Sequence, residues 1–338
     1  MVIATGIGSM PGDDQPAYDE ALRVVLGELA PDRHGLPHLP EVPGRGAIAS
    51  MTGRGLAVLA DLDADLQPAG WRLTGTHGRS GVDHRRARSL LAQDLDALEE
   101  QAQGYAGAFK IQVAGPWTLA TTVERPRGDK LLADHGARRE LAQALAEGLR
   151  GHVADVRRRL PGVGRLVVQV DEPALAAVLD GVVPTASGFH RHRTVDLPEA
   201  SQALEWVLEA IAETDAEPWV HSCASGVPWA MLRKAGARGL SADLATLAAA
   251  DHDALAEALE SGESVALGVV AALDPATRPT DGQLTESVLR WLDMLGLDPD
   301  GVGERLLVTP TCGLAGASPG WARRALALAR ATAAHVAG

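Results

Sequence analysis

Short apolar runs alternate with longer amphipathic stretches along almost the whole of this 338-residue chain. The apolar runs have the length of buried strands, and the stretches between them carry apolar residues at helical spacing. Strands that alternate with helices form parallel βαβ units, and eight such strands indicate a closed barrel. The predicted strands cover residues 2–8, 36–41, 108–114, 165–171, 217–222, 238–243, 264–271 and 305–311.

The stretches between these strands are predicted to be helices. They cover residues 15–30, 46–62, 84–105, 130–159, 199–214, 227–236, 251–261, 282–295 and 318–336. We therefore predict an α/β fold, a single (β/α)8 TIM barrel of residues 1–338, with two domains as the alternative. Long polar loops are expected at the catalytic face of the barrel, at residues 9–14, 63–83, 121–129 and 180–198.

Charge and composition exclude several classes of partner. The net charge is −13 and the 31 Lys and Arg residues are scattered, which argues against a nucleic acid or an anionic membrane as the main partner. No apolar run has the length of a membrane span, and the first residues lack the pattern of a signal peptide. We therefore expect a cytoplasmic protein, in which two cysteines favour a metal site or reactive thiols over a disulfide framework.

The only two cysteines each follow a predicted strand. Residues two apart on a strand project to the same side, so His221 and Cys223 can bind one ion. Cys312 follows a later strand in the same context, and the three side chains supply most of a zinc shell. The alternatives are a buried histidine beside an inert cysteine, and a disulfide between the two thiols.

A carboxylate would complete the metal shell. Asp243 ends the strand between the two that carry the thiols, and it is the predicted fourth ligand. The alternative is that Asp243 caps the helix that follows. A zinc site that only stabilises the fold is a further alternative, although a barrel of this size has little need of one.

Two adjacent carboxylates, Asp171 and Glu172, end the apolar strand at 165–171. Buried charges are costly unless they meet a cation or an amine, so this pair predicts recognition of a substrate ammonium group. Neighbouring strand residues point in opposite directions, so at most one of the two faces the pocket. The alternative is that one caps a helix and the other pairs with an arginine.

Other strand ends carry weaker signals. The segment Ile7-Gly8-Ser9 follows the first strand, where glycine lets the backbone approach a ligand, but a plain turn is equally consistent with it. Glu41 ends the second strand, and an isolated glutamate is usually solvated. His190 and His192 lie in the loop at 180–198 as candidates for proton transfer or for a lid, with solvated histidines as the alternative.

Four of these segments together resemble the C-terminal catalytic barrel of cobalamin-independent methionine synthase. They are Ile7-Gly8-Ser9, the segment from Gln169 to Ala174, His221-Ser222-Cys223 and Cys312-Gly313-Leu314. Their order and approximate spacing match over nearly the whole chain. Larger members of the family carry an additional N-terminal barrel, so we expect this chain to resemble the short, single-barrel relatives.

The resemblance implies a role for each matching position. The family's zinc ligands correspond to His221, Cys223, Asp243 and Cys312, with Asp243 where the family usually has glutamate. The residues that hold homocysteine correspond to Ile7, Gly8, Ser9, Glu41 and Asp171. Asp171 is thus expected both to bind the substrate and to serve catalysis by aligning it.

Three positions depart from the family pattern. The folate-stacking tryptophan of the family would fall near Thr122, although Trp117 lies close by, and a folate-contacting glutamate would fall on Ala177. The proton-donating histidine would fall on Leu273. The thiol-binding positions are therefore present, whereas the folate-binding positions are not.

The resemblance implies a zinc-dependent methyltransferase that converts homocysteine to methionine. A free thiol is mostly protonated at neutral pH, because its pKa is about 8.5, whereas a thiol on zinc is deprotonated. Methylfolate and a methylcorrinoid, free or protein-bound, both remain as donors. The alternatives are a zinc alkyltransferase with another thiol or a corrinoid-linked donor, and a protein that binds zinc and a thiol without transferring a methyl group.

Overall fold

A computed structural model describes residues 1–31, 34–74 and 81–336, and its central feature is a parallel sheet that curves into a barrel. Eight strands follow one another around this sheet in the order β2, β1, β10, β9, β8, β7, β6 and β5. The strands described are β1 (Ile3–Thr5), β2 (Gly35–Leu36), β3 (Ala64–Gln67), β4 (Gly70–Leu73), β5 (Phe109–Ala114), β6 (Leu166–Asp171), β7 (Glu217–Ser222), β8 (Gly239–Asp243), β9 (Ser264–Val270) and β10 (Leu306–Pro310).

Hydrogen bonds between the segment after β2 and strand β5 close the sheet. His38 forms a parallel bridge with Lys110, and the Leu39 amide donates to the Lys110 carbonyl at 2.9 Å. The closed sheet confirms the predicted (β/α)8 TIM barrel. Strands β3 and β4 form a separate antiparallel hairpin.

Helices surround the barrel. They are α1 (Gln15–Leu29), α2 (Met51–Val58), α3 (Val82–Gln101), α4 (Pro116–Thr122), α5 (His135–Arg159), α6 (Leu175–Leu179), α7 (Leu197–Ala212), α8 (Trp229–Lys234), α9 (Ala249–Glu260), α10 (Asp281–Leu295), α11 (Pro299–Val302) and α12 (Pro319–Val336). Among the described residues, no helix is long and apolar enough to cross a membrane.

Several predicted boundaries were wrong for local reasons. The second strand was expected to span 36–41, but regular pairing covers only Gly35–Leu36, because Pro37 and Pro40 have no amide hydrogen to donate. The helix expected at 46–62 is confined to α2. Gly46 adopts φ 107°, and Ser50 caps α2 by accepting from the Gly53 amide.

Two other segments also differ from the prediction. The loop expected at 63–83 contains the β3–β4 hairpin, and its residues 75–80 lie outside the described residues. The helix expected from residue 130 starts at His135, because Asp134 caps it by accepting from the Ala137 amide at 2.9 Å.

Helices α4, α6 and α11 were not predicted, because with 7, 5 and 4 residues they are too short to show a helical period.

The inside of the barrel changes from apolar to polar along the strands. A small apolar cluster that includes Ile3, Val167, Trp219 and Leu307 fills its amino-terminal end. Trp219 packs over Gly239, where an added Cβ would lie 2.4 Å from the indole ring. Along β6 the inward residues then become Gln169 and Asp171. This gradient places the polar groups at the carboxyl ends of the strands.

Candidate active site

A pocket of about 140 Å³ opens at the carboxyl ends of the barrel strands. Parallel barrels build their active sites at this face, because loops from many strands converge there. The pocket contains all the predicted site residues except Asp243. Its walls are Ile7, Gly8, Ser9, Glu41, Met51, Gln112, Asp171, Pro173, His221, Cys223, Cys312 and Gly313.

His221, Cys223 and Cys312 converge on one point of this pocket. One ligand atom from each lies within 4.8 Å of the others, and the two sulfur atoms are 2.7 Å apart. Two donors on one zinc ion lie within about 4.6 Å of each other, because Zn–S is about 2.3 Å and Zn–N about 2.0 Å. Both thiols are free. The three side chains therefore form a possible metal-binding group.

The imidazole of His221 is oriented by the neighbouring strand. Its Nδ1 lies 2.9 Å from the Ser241 hydroxyl and 3.2 Å from the Ser241 carbonyl oxygen, both on β8. Metal-binding histidines commonly use one ring nitrogen for such a contact and the other for the ion. Nε2 is therefore the nitrogen available to a ligand.

A hydrogen bond joins the two thiols. This hydrogen bond, together with the nearby His221 ring, lowers the pKa of Cys312 well below its ordinary value. The same hydrogen bond, with burial, raises the pKa of Cys223. The lowered pKa of Cys312 favours its thiolate, the form that binds metals.

Asp243 lies beside this group but is not among its three members. One carboxylate oxygen accepts a hydrogen bond from the Ala245 amide at 2.9 Å, which is the capping role considered as the alternative. Burial and the nearby Cys312 sulfur raise the pKa of Asp243. The carboxylate is thus close enough to Cys312 for their charges to interact, and its role as fourth ligand stays a prediction.

Asp171 and Glu172 point in opposite directions, as the alternation of a strand requires. Asp171 lines the pocket, where its Oδ1 accepts from Gln169 Nε2 at 2.7 Å. Glu172 is fully buried and caps α4, since its carboxylate accepts from the Trp117 amide at 2.9 Å and from the Thr118 amide at 2.8 Å. Only Asp171 is placed to meet a ligand.

Burial raises the pKa of both carboxylates, but their hydrogen-bond partners differ. Burial raises the pKa of Asp171, Glu41 raises it further, and His221 lowers it. Burial raises the pKa of Glu172 to about 7, while the hydrogen bonds from Thr118 and Trp117 act against that shift. Asp171 thus faces the pocket with a hydrogen bond from Gln169, whereas Glu172 is satisfied by the start of α4.

Glu41 is held by a buried chain of charged groups, so it is not the solvated glutamate of the alternative. Its Oε1 lies 3.2 Å from Arg54 Nε and accepts from Gln112 Nε2 at 3.1 Å. Arg54 also contacts Asp94 at 2.5 Å, and Asp94 binds Arg45 through both carboxylate oxygens at 2.7 Å. The Glu41 carboxylate is therefore fixed in place at the pocket wall.

The Ile7-Gly8-Ser9 segment is wedged between two strand ends. Ser9 forms a parallel bridge with Glu41, and its carbonyl accepts from the Leu314 amide at 2.8 Å. An added Cβ at Gly8 would lie 2.8 Å from Gln112 Cδ, and one at Gly313 would lie 2.1 Å from the Ser9 hydroxyl oxygen. Glycine suits both positions because a neighbouring side chain packs directly against its backbone.

Comparisons with known proteins agree with this geometry. A family profile described as "Cobalamin-independent synthase, Catalytic domain" matches residues 107–335, which is more than half of the chain. The chain belongs to this family. Membership makes it a methyltransferase of the methionine-synthase type.

One solved structure agrees on the fold. One match is a B12-independent methionine synthase from Shewanella sp. W3-18-1, solved in complex with selenomethionine, at a TM-score of 0.65 and 16% identity over 99% of this chain and 98% of that chain. The 3-keto-D-glucoside 4-epimerase YcjR from E. coli matches at a TM-score of 0.38 and 14% identity, over 71% of this chain and 86% of that chain. The second likeness is too weak to support any inference. A search of curated proteins found no match.

The positions that depart from the family's folate contacts lie apart from this pocket's walls. The Thr122 hydroxyl donates to the Thr118 carbonyl of its own helix at 3.1 Å. Trp117 is 1% exposed, and its indole nitrogen donates to the Ala200 carbonyl at 3.1 Å. Leu273 is 60% exposed. Trp117 thus does not replace the missing stacking residue at the pocket.

The two loop histidines differ from each other. His190 is exposed, as the alternative of a solvated histidine predicts. His192 is 8% exposed, and its Nε2 lies 3.4 Å from an Asp129 oxygen in the adjacent loop. Neither lines the pocket that holds the thiols.

Sequence reasoning missed the polar residues beneath the pocket. Lys110 and Gln112 lie on β5 and Gln169 lies on β6, and all three are buried. The signal was the alternation of Phe109-Lys110-Ile111-Gln112-Val113, in which polar residues recur every second position of a predicted buried strand. Arg54 carried no comparable signal, because its partners come from distant segments.

Proposed function

We propose that this protein is a zinc-dependent thiol methyltransferase that converts homocysteine to methionine. One observation supports this most strongly: two thiols, an imidazole and two carboxylates line a single pocket of about 140 Å³. The volume suits a small amino acid. The chain as a whole would form one catalytic domain, since its eight strands close one barrel.

The donor set fits zinc. Two thiolates and one imidazole are its preferred ligands, and a catalytic site keeps a coordination position for the substrate. His221, Cys223 and Cys312 would hold the ion, with Asp243 as the fourth protein ligand that substrate sulfur joins or replaces. Bound zinc would keep the sulfur of homocysteine deprotonated at neutral pH.

The two carboxylates suit the amino-acid end of the substrate. Asp171 and the fixed Glu41 would accept hydrogen bonds from the substrate ammonium. Fixing both ends of homocysteine would align its sulfur with the methyl group. The selenomethionine in the Shewanella enzyme, an analogue of the proposed product, is consistent with an amino-acid ligand.

In the transfer step, an electron pair on the substrate sulfur forms the new bond to the methyl carbon. The bond between that carbon and the donor breaks, and its electron pair stays with the donor. A folate nitrogen that leaves in this way needs a proton, whereas a corrinoid does not. Leucine stands at position 273, where the family's proton donor would fall, so a methylcorrinoid, free or protein-bound, is as suitable a donor as methylfolate.

The test is methionine formation by zinc-loaded protein with homocysteine and, in separate reactions, methylcobalamin and methylfolate. We expect methionine with at least one donor, and we expect homocysteine to be the best substrate in a panel of thiols. Preference for another thiol would support the related alkyltransferase instead. Homocysteine binding without methionine from either donor, free or supplied on a corrinoid protein, would support a binding protein and contradict the proposal.

A further inference from the structure

A lysine is buried inside the barrel directly beneath the pocket. Lys110 projects from β5 and is 0% exposed. Its Nζ donates to the Ile7 carbonyl at 2.8 Å and to Gln169 Oε1 at 2.8 Å. Both acceptors are neutral, so no carboxylate contacts this ammonium directly among the contacts described.

This placement is costly in isolation. A buried charge is tolerated when nearby charges or hydrogen bonds compensate for its desolvation. Burial lowers the pKa of Lys110 to about 7, and the opposite charges of Asp171 and Glu41 act against that shift. These are the two carboxylates that line the amino-acid end of the pocket, so Lys110 belongs to the same electrostatic unit.

Gln169 connects the lysine to the pocket. Its Oε1 accepts from Lys110, while its Nε2 donates to Asp171 Oδ1 at 2.7 Å and to the Ile7 carbonyl at 3.0 Å. Because Lys110 donates to Oε1, it fixes which end of the Gln169 amide faces Asp171. Without it, the amide oxygen would be a buried acceptor with no donor.

We propose that Lys110 is a positioning residue for amino-acid recognition, acting through Gln169 on Asp171 and through the Ile7 carbonyl on the loop opposite. Lys110 does not itself line the pocket and is not among the possible metal ligands, and its direct contacts are Gln169 and the carbonyl of the lining residue Ile7. Its effect is therefore expected at the ammonium end of the ligand. This inference rests on the proposed function, in which Asp171 receives the ammonium of homocysteine.

The proposal predicts a loss of discrimination between two thiols. Homocysteine carries the ammonium, and 4-mercaptobutanoate is the same molecule without it. In Lys110→Met, binding of homocysteine to zinc-loaded protein should weaken roughly tenfold to a hundredfold, while binding of 4-mercaptobutanoate should change less than about threefold. Isothermal titration calorimetry measures both affinities. General damage to the barrel would instead weaken both ligands alike.

If only the charge of Lys110 mattered, Lys110→Met would bind homocysteine more tightly and not more weakly. Removing a cation near two carboxylates should strengthen attraction for an ammonium, so tighter or unchanged homocysteine binding by Lys110→Met would overturn the proposal. Lys234→Met removes an exposed lysine from α8 and serves as the matched control, with no change in either affinity expected. If wild-type protein fails to prefer homocysteine over 4-mercaptobutanoate, the proposed function fails rather than the role of Lys110.

A double-mutant cycle tests the route through Gln169. If Lys110 acts mainly through that amide, Lys110→Met with Gln169→Met should bind homocysteine no more than about threefold more weakly than the weaker single variant. Independent, multiplicative losses would contradict the route. Thermal unfolding of all four proteins, followed by circular dichroism, selects a temperature at which each is fully folded.

Discussion

Two regions at the carboxyl ends of the barrel strands differ in how their side chains are arranged. We call them the thiol-binding half and the folate-contact half of the barrel face. In the thiol-binding half, Cys223, Cys312 and Asp171 line one pocket, and their neighbours orient them. At the folate-contact positions of the family, Thr122 bonds to its own helix and Leu273 lies exposed. The thiol-binding half has the side-chain arrangement that the proposed chemistry requires. At the folate-contact positions, Thr122 and Leu273 are not held towards a shared pocket.

The largest expected effect comes from removing a metal ligand. Cys312→Ser replaces a thiolate with a hydroxyl that stays protonated, so zinc content should fall well below one ion per chain and methyl transfer should be lost. The loss should exceed the roughly 10–100-fold that removal of an outer partner costs, which Ser241→Ala would measure beside His221. Full zinc retention by Cys312→Ser, measured by plasma mass spectrometry, would contradict the proposed metal site.

A substitution of Asp243 distinguishes its proposed role as a metal ligand from its role as a helix cap. Asn caps a helix about as well as Asp but is a poorer metal ligand. Asp243→Asn should therefore weaken zinc binding by roughly 10–100-fold in competition with a chelator, a range taken from the effects of mutations around metal sites. Its unfolding temperature in the metal-free state should match that of wild type. Unchanged zinc affinity would reduce Asp243 to the cap seen at Ala245.

Asp171 and Glu172, adjacent at the end of β6, allow a ligand-binding carboxylate to be compared with a structural one. Asp171→Asn should weaken homocysteine binding by roughly tenfold to a hundredfold, because it removes a charged acceptor, and should leave stability nearly unchanged. Glu172→Gln should lower the free energy of unfolding by about 1–3 kcal/mol, because an amide NH2 would face the backbone amides of α4.

Calorimetry and thermal unfolding of both variants distinguish these roles. Glu172→Gln should bind homocysteine within about threefold of wild type, which makes it the control for its neighbour. A larger loss of affinity in Glu172→Gln than in Asp171→Asn would reverse the assignment.

The smallest effect on activity and stability is expected at Leu273, in the folate-contact half of the barrel face. Leu273→Ala changes an exposed side chain, so stability should shift by less than about 0.5 kcal/mol. Methyl transfer should stay within about twofold of wild type, since we assign this residue no chemical role. A tenfold loss in steady-state assays would show that this half contributes to the donor site.

The sequence predicted the barrel because its eight strands are buried and regularly spaced, and a buried strand is a strong local pattern. It placed His221, Cys223 and Cys312 together because both cysteines follow such strands and His221 lies near the end of one of them. It failed where several segments decide the outcome. The length of β2 depends on two prolines, and the capping of α4 by Glu172 depends on a residue that follows a different strand.

The buried network beneath the pocket shows another limit. The alternation of polar residues on β5 could have indicated that Lys110 and Gln112 face inward. It could not have shown that Gln169 connects Lys110 to Asp171, because that contact needs the register of β5 against β6. The chain of Arg54, Asp94 and Arg45 behind Glu41 likewise joins segments whose proximity no local pattern encodes.

The central claim is that the two cysteines bind a metal that receives the substrate sulfur. X-ray absorption at the zinc edge of the purified protein measures this directly. We predict two sulfur neighbours at about 2.3 Å with nitrogen or oxygen completing the shell, and three sulfur neighbours after homocysteine is added. A shell that keeps two sulfur neighbours under saturating homocysteine, or one without sulfur at any stage, would contradict the account.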